Sequence, residues 1–207
     1  MNYKEIVDAA KAYTDRYDDE LAESMTAFTW VVEAKINNAL RTGDQSVRSQ
    51  IWLQKDEEYY SLPCDWGGAR DVELLHPGEQ HGRTLVYLAP EEMNKLSRQH
   101  GEHNYYTIIA GQIQVSPPAD DQVLEVTYYQ RLPGLNEDDA TNWLTDKNPD
   151  AYIFGLCTEI SAFAKDAMAY EGYKVRFQES LMDITQEDQV TQWSGPALRT
   201  QVEGLVV

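Results

Sequence analysis

The sequence predicts an α+β fold: a helical bundle made of N- and C-terminal helix pairs, with an inserted β-rich lobe. Three observations point to it. Apolar residues recur at helical spacing near the start of the chain and again from Ile153 to Ile184. Between these regions lie short runs rich in Val, Ile, Thr and Tyr, bounded by Gly, Pro and Asp. Helices and strands are therefore segregated rather than alternating, which argues against a parallel α/β sheet. The expected divisions are 1–45 for the first helix pair, 46–140 for the lobe, 141–190 for the second pair and 191–207 for an extended tail.

Taken in order, Tyr3, Ile6, Val7, Ala10 and Tyr13 form one helical stripe. Asp18, Asp19 and Glu20 open a second helix, where acids suit the positive end of the helix dipole. Met25, Phe28, Val31, Val32, Ile36 and Leu40 are its expected apolar face, and Thr42-Gly43 its expected end. "VRSQIWLQ", "EYYSLP", "DVELLH" and "TLVYLA" read as strands, and Pro90-Glu91-Glu92 starts a helix expected to reach about Gln99. "NYYTIIAG" and "QIQVSPP" read as a hairpin turning at Ala110-Gly111. "QVLEVTYYQRLP" alternates most clearly and stops at Pro133. Asn148, Pro149 and Asp150 are a helix start by N-cap, first-residue and first-turn preference. Gly155 is expected to permit close helix packing, and Cys157 to sit on the stripe of Ile153, Ile160 and Ala164. Tyr170, Tyr173, Phe177, Leu181 and Ile184 form the stripe of the last helix.

Composition narrows the function. The chain has 207 residues, 35 acidic against 17 basic, for a net charge of −18. Segment 55–140 is the most anionic, with 16 acids against 6 bases. This balance argues against gripping nucleic acid through its phosphates, and against an anionic membrane surface. The start "MNYKEIVDAAKAY" is amphipathic and mixed in charge, unlike a signal peptide, and no apolar run is long enough to span a bilayer. Cys64 and Cys157 are expected as buried, free thiols in a reducing compartment.

Candidate chemistry is sparse. His76 and His81, and His100 and His103, come in pairs, but without metal-ligand spacing, and read as surface-loop residues. Asp120-Asp121, Glu137-Asp138-Asp139 and Glu187-Asp188 are neighbours in polar stretches rather than carboxylates facing across a cleft. "WGGAR" lacks the Gly-Lys-Ser/Thr of a phosphate loop, and no Gly-x-Ser-x-Gly elbow occurs. The expectation is therefore no catalytic residue, no cofactor and no metal. The tail from about Thr191 has no period yet carries Trp193 and apolar residues, a pattern suited to docking on a partner.

The order of motifs resembles the head-to-tail adaptor (connector) proteins of tailed bacteriophages, the group related to tail tubular protein A. The resemblance is carried by "YYSLPCDW" (59–66), "YYTIIAGQIQVSPPADDQVLEVTYYQRLPGL" (105–135), "NWLTDKNPDAYIFGLCTEISAFAKD" (142–166) and "SGPAL" (194–198). It implies a structural virion protein at the head–tail neck, present in the host cytoplasm during assembly. It further implies a ring, expected to be dodecameric, docked under the portal protein, meeting tail (nozzle or tube) proteins below, and passing genome DNA through its lumen without sequence-specific binding. On this reading Trp193, Leu198, Arg199 and Leu205 are the candidates for portal docking, and Asn142 to Leu144 clamp the lobe to the bundle. An anionic lumen would not hold a phosphate backbone, so DNA could slide. Two rivals are an acidic DNA-mimic inhibitor of a nucleic-acid-binding protein and a small hydrolase gathering His100, Glu102 or His103.

Overall fold

The structure, a computed structural model, describes residues 1–55, 57–76, 82–95, 105–116 and 122–193. Among these residues are six α-helices and eight strands in two sheets, with helices flanking the β-rich region in sequence. The chain is thus α+β as expected. It divides into two compact units, one of Met1–Gly43 with Pro133–Val207 and the other of Asp44–Leu132.

The helical unit begins with α1 (Tyr3–Thr14), closed at its start by a capping box between Asn2 and Glu5. Ile6 and Ala10 of its stripe are buried, while Tyr13 stays exposed. Asp18 caps α2 (Asp19–Ala39) by accepting from the Leu21 amide at 3.2 Å. Here the structure corrects the expected end. The helix stops at Ala39, where the Leu40 amide closes the last turn on Ile36, and Gly43 opens a short 3-10 turn to Gln45. The expected apolar face is also shifted. Val31 is exposed, whereas Thr29 and Glu33 are buried beside Met25, Val32 and Ile36.

Helix α4 (Trp143–Lys147) occupies the "NWL" stretch and leads into α5 (Pro149–Phe163). Nine of the 15 residues of α5 are buried, spread round the helix rather than along one stripe. This is the pattern of a central helix, and α1, α2 and α6 (Ala167–Trp193) all pack on it. Gly155 is what lets two of them close in, as expected. A Cβ there would stand 2.6 Å from Val32 Cγ1 and 3.2 Å from Phe177 Cε2, so even Ala would force α2 and α6 apart. The α5–α6 turn is built from backbone bonds. The Asp166 amide reaches Ser161 O at 3.0 Å and the Lys165 amide Ala162 O at 3.1 Å, with Lys165 left-handed (φ 58°). Asp166 then caps α6 through the Met168 and Ala169 amides.

The β unit holds two four-stranded sheets. The first orders β1 (Ser46–Trp52), β8 (Val123–Gln130), β3 (Trp66–Leu75) and β4 (Arg83–Thr84). The second orders β2 (Tyr59–Ser61), β7 (Gln112–Ser116), β6 (Tyr105–Ile109) and β5 (Val86–Tyr87). All neighbours are antiparallel except β5 with β6. The run "TLVYLA" is not one strand. The chain leaves the first sheet after Thr84 and joins the second at Val86, with Leu85 buried between them. The two sheets share one core, centred on Val72, Ile113, Leu124 and Val126. The hairpin of β6 and β7 turns at Ala110-Gly111, both at positive φ (49° and 78°), as a two-residue primed turn demands. "WGGAR" is the start of β3 rather than a loop. Gly67 sits where a Cβ would come within 2.7 Å of Tyr129 O, at a bulge against β8. The helix at Pro90 runs only to Met93, and 96–99 lie outside the described residues.

Where the chain re-enters the helical unit, three side chains tie it down. Glu33 of α2 accepts from the Leu135 amide at 2.8 Å and from the Tyr152 hydroxyl of α5. Asn142 donates to Tyr152 Oη at 2.9 Å and to Pro133 O at 3.1 Å. Its side-chain oxygen accepts from the Leu144 and Thr145 amides, capping α4. The carbonyls of Asp138 and Ala140 in turn accept from the first amides of α1. These hydrogen bonds of Asn142 all join parts of the helical unit.

Glu33 is 8% exposed, and burial raises its pKa from 4.5 despite the two hydrogen bonds that favour the carboxylate. Glu33→Ala leaves the Leu135 amide without its acceptor in a buried place and is expected to cost about 2 kcal/mol in urea unfolding. The native state binds the Glu33 proton more readily than the unfolded chain does. This group's contribution to stability therefore declines as pH rises from 4.5 through the raised value, and levels off above it. The unfolding free energy of wild type minus that of Glu33→Gln should fall with rising pH across that window; a rising difference would contradict the assignment.

Candidate assembly surface

The residues singled out for chemistry are scattered. His76 meets only the Gln122 side chain, at 3.0 and 3.1 Å, among the contacts described. His81, His100, Glu102, His103 and Asp120-Asp121 lie outside the described residues. Glu137, Asp138 and Asp139 are exposed on the return segment. Asp188 holds backbone in place, accepting from the Gly43 amide at 2.7 Å and from the Gln192 side chain at 2.6 Å. Among the described residues, no three His, Cys, Asp or Glu side chains are grouped to hold a metal. No helix among them is long and apolar enough to cross a membrane.

The two cysteines differ. Cys157 is fully buried as expected, its thiol donates weakly to Ala10 O at 3.7 Å, and burial pushes its pKa up to about 12. Cys64, expected inside, is exposed. It lies in the turn before β3 because the neighbouring Asp65 and Trp66 take the inward places. Asp65 accepts from Tyr128 at 2.9 Å and Gln130 at 2.6 Å, and Trp66 stacks on Tyr128 at 4.9 Å. Burial, with Asp65 as acceptor, pushes the Tyr128 hydroxyl up to about 12.

What the described residues of the helical unit do present is exposed apolar surface. Among the described side chains of α6, Phe177, Ser180 and Ile184 are the buried ones. Of the expected stripe, Tyr170, Tyr173 and Leu181 are half-buried. The opposite side carries Met168, Val175, Met182 and Val190, all exposed, Met168 at 89%. Their spacing of seven, seven and eight residues places them in one row. Beside this row Ala39, Gln178, Leu181, Met182, Thr185 and Gln189 line an open groove of about 700 Å³. On α2, Ala27, Trp30, Val31 and Ala34 form a second exposed patch, with Trp30 60% exposed. Exposed apolar groups gathered in rows are the mark of interaction surface rather than of isolated side chains.

The sequence-predicted docking residues fall at the far end of α6 and beyond. Trp193 is the last helical residue, and Leu198, Arg199 and Leu205 lie outside the described residues. The α6 row is legible as apolar residues seven, seven and eight apart, and the α2 patch as the charge-free run "SMTAFTWVV". Neither pattern by itself says which face stays uncovered.

A family model described as SU10 adaptor protein matches the chain over residues 1–200. No curated protein matches it. Titration of the native chain with a thiol reagent should modify one cysteine quickly and the second only after unfolding; two fast thiols would contradict the buried placement of Cys157.

Proposed function

Because the chain belongs to the SU10 adaptor protein family, a family of phage head–tail adaptors, we propose that it assembles as a dodecameric ring docked under the portal. In this reading the ring joins capsid to tail, meets nozzle or tube proteins on its lower side and leaves a channel for the genome. The protein is a structural virion component rather than an enzyme.

The observation that carries this reading is the family match along nearly the whole chain. Two physical features support it. The helical unit has uncovered apolar rows on two different helices, as a part made to be surrounded by other chains would have. The net charge of −18 suits a conduit. Like charge keeps a wall from holding phosphate, so that DNA moves through without sticking.

Portal docking is assigned to the C-terminal end, through Trp193, Leu198, Arg199 and Leu205. Trp and Arg are the side chains that most often anchor interfaces. The segment follows directly on the 27-residue helix α6.

Mixing the protein with the portal protein of the same phage and imaging the product by electron microscopy tests the main claim. A ring seated on the portal is the expected result, and bare portals at every ratio would overturn it. Removing residues 192–207 takes away all four of these side chains and only the last two residues of α6, and should weaken portal binding at least tenfold while the thermal midpoint stays put. Unchanged binding would take the docking role away from this segment.

A further inference from the structure

We propose that the α2 patch of one copy seats in the α6 groove of the next, with Trp30 as the inserted side chain. This contact rests on the ring reading above and specifies which faces meet. Copies carrying −18 each repel, so they can approach only through surface that carries little charge. The groove residues Ala39, Gln178, Leu181, Met182, Thr185 and Gln189 include no ionisable side chain, although 25% of the chain is charged. The patch of Ala27, Trp30, Val31 and Ala34 is equally free of charge.

The two surfaces are also opposite in form. One is a wide, open groove of about 700 Å³ lined by Ala39, Leu181 and Met182 together with glutamine and threonine side chains. The other carries a large side chain between small ones, Ala27 and Ala34, that let a partner helix come close. An indole is the right occupant for such a groove, since it brings large apolar area with one N–H donor for a glutamine oxygen. Charge at the margins agrees. Glu179 and Asp183 are exposed and follow the groove residues Gln178 and Met182 along α6, as Glu187 follows Gln186. Lys35 is exposed four residues beyond Val31 on α2, where it pairs with Glu159 of its own chain. An approaching acidic margin would meet that ion pair, in which the ammonium is the more exposed partner.

Because the two faces differ, the contact is heterologous: each copy gives its patch to one neighbour and its groove to the other. Such contacts propagate and close into a ring when the rotation between copies allows it. An isologous pairing of α6 with α6 would instead stop at a dimer.

The test uses portal-bound assemblies. Trp30→Asp and Met182→Asp change exposed residues and should each keep the wild-type thermal midpoint yet give no ring on the portal by electron microscopy. Val31→Asp and Gln189→Arg serve as a second pair should either of the first fail to fold. In a Cys64→Ser background, copies with Trp30→Cys are mixed with copies with Met182→Cys, assembled on the portal and treated with a short bismaleimide. A cross-linked dimer is expected from the mixture and from neither variant alone. Dimers from Met182→Cys alone would show α6 facing α6 and overturn the contact. Intact rings from both Asp variants would also overturn it while leaving the ring reading in place, including if those rings fail to bind a tail protein. No ring from the wild-type chain would overturn both.

Discussion

The fold depends on how the chain gets back into its helical unit. It leaves after Gly43, builds a complete two-sheet core, and must re-enter at Pro133 beside helices laid down at the start of the sequence. The return segment has almost no apolar side chains of its own beyond Leu135. Hydrogen bonds hold it instead. Glu33, Tyr152 and Asn142 come from α2, α5 and the start of α4, and between them they meet the backbone at Pro133, Leu135, Leu144 and Thr145. A buried carboxylate is a costly anchor, and it persists here because the amide and the phenol it accepts from would otherwise be unpaired. The same segment offers its Asp138 and Ala140 carbonyls to the first turn of α1. One stretch thus links α1, α2, α4 and α5.

Around that anchor the unit is organised by α5. A helix buried on several sides needs neighbours on each of them, and α1, α2 and α6 supply them. Once α5 is covered, α2 and α6 have each committed a single face and their other faces remain in solvent. Gly155 sharpens this, because close approach of Val32 and Phe177 at one point leaves no room to turn either helix further inward. The exposed row on α6 and the patch on α2 are therefore a consequence of three helices serving one, in a chain whose family works by assembling with others.

Charge sets the terms for that assembly. A net charge of −18 makes close approach of like-charged surface costly, so neutral patches are the places where contact meets least repulsion. The β unit keeps its own apolar groups largely in its shared core, although Trp52, Tyr59, Val86 and Tyr87 remain exposed on its strands.

Much of this is readable in the sequence. Asn2 and Asp18 mark helix starts, Ala110-Gly111 marks a hairpin, and the alternation of Leu124, Val126 and Tyr128 marks the central strand. These features are set by neighbours within a few residues, where cap, turn and pleat preferences act. Gly155 and Cys157 follow the same logic, since small residues on an apolar stripe belong inside. What the sequence leaves open is which face of each helix meets another element. Val31 and Glu33 exchange their expected places because α5 and the return segment, more than a hundred residues away, approach α2 from the Glu33 side. Cys64 is outside because Asp65 and Trp66 find partners on β8. The row of Met168, Val175, Met182 and Val190 on α6 is written in the sequence, but its exposure is decided only when Phe177 and Ile184 turn toward α5 and its neighbours. Local pattern fixes the element and its two sides; burial is a property of distant segments brought together, and a single sequence does not record which side they choose.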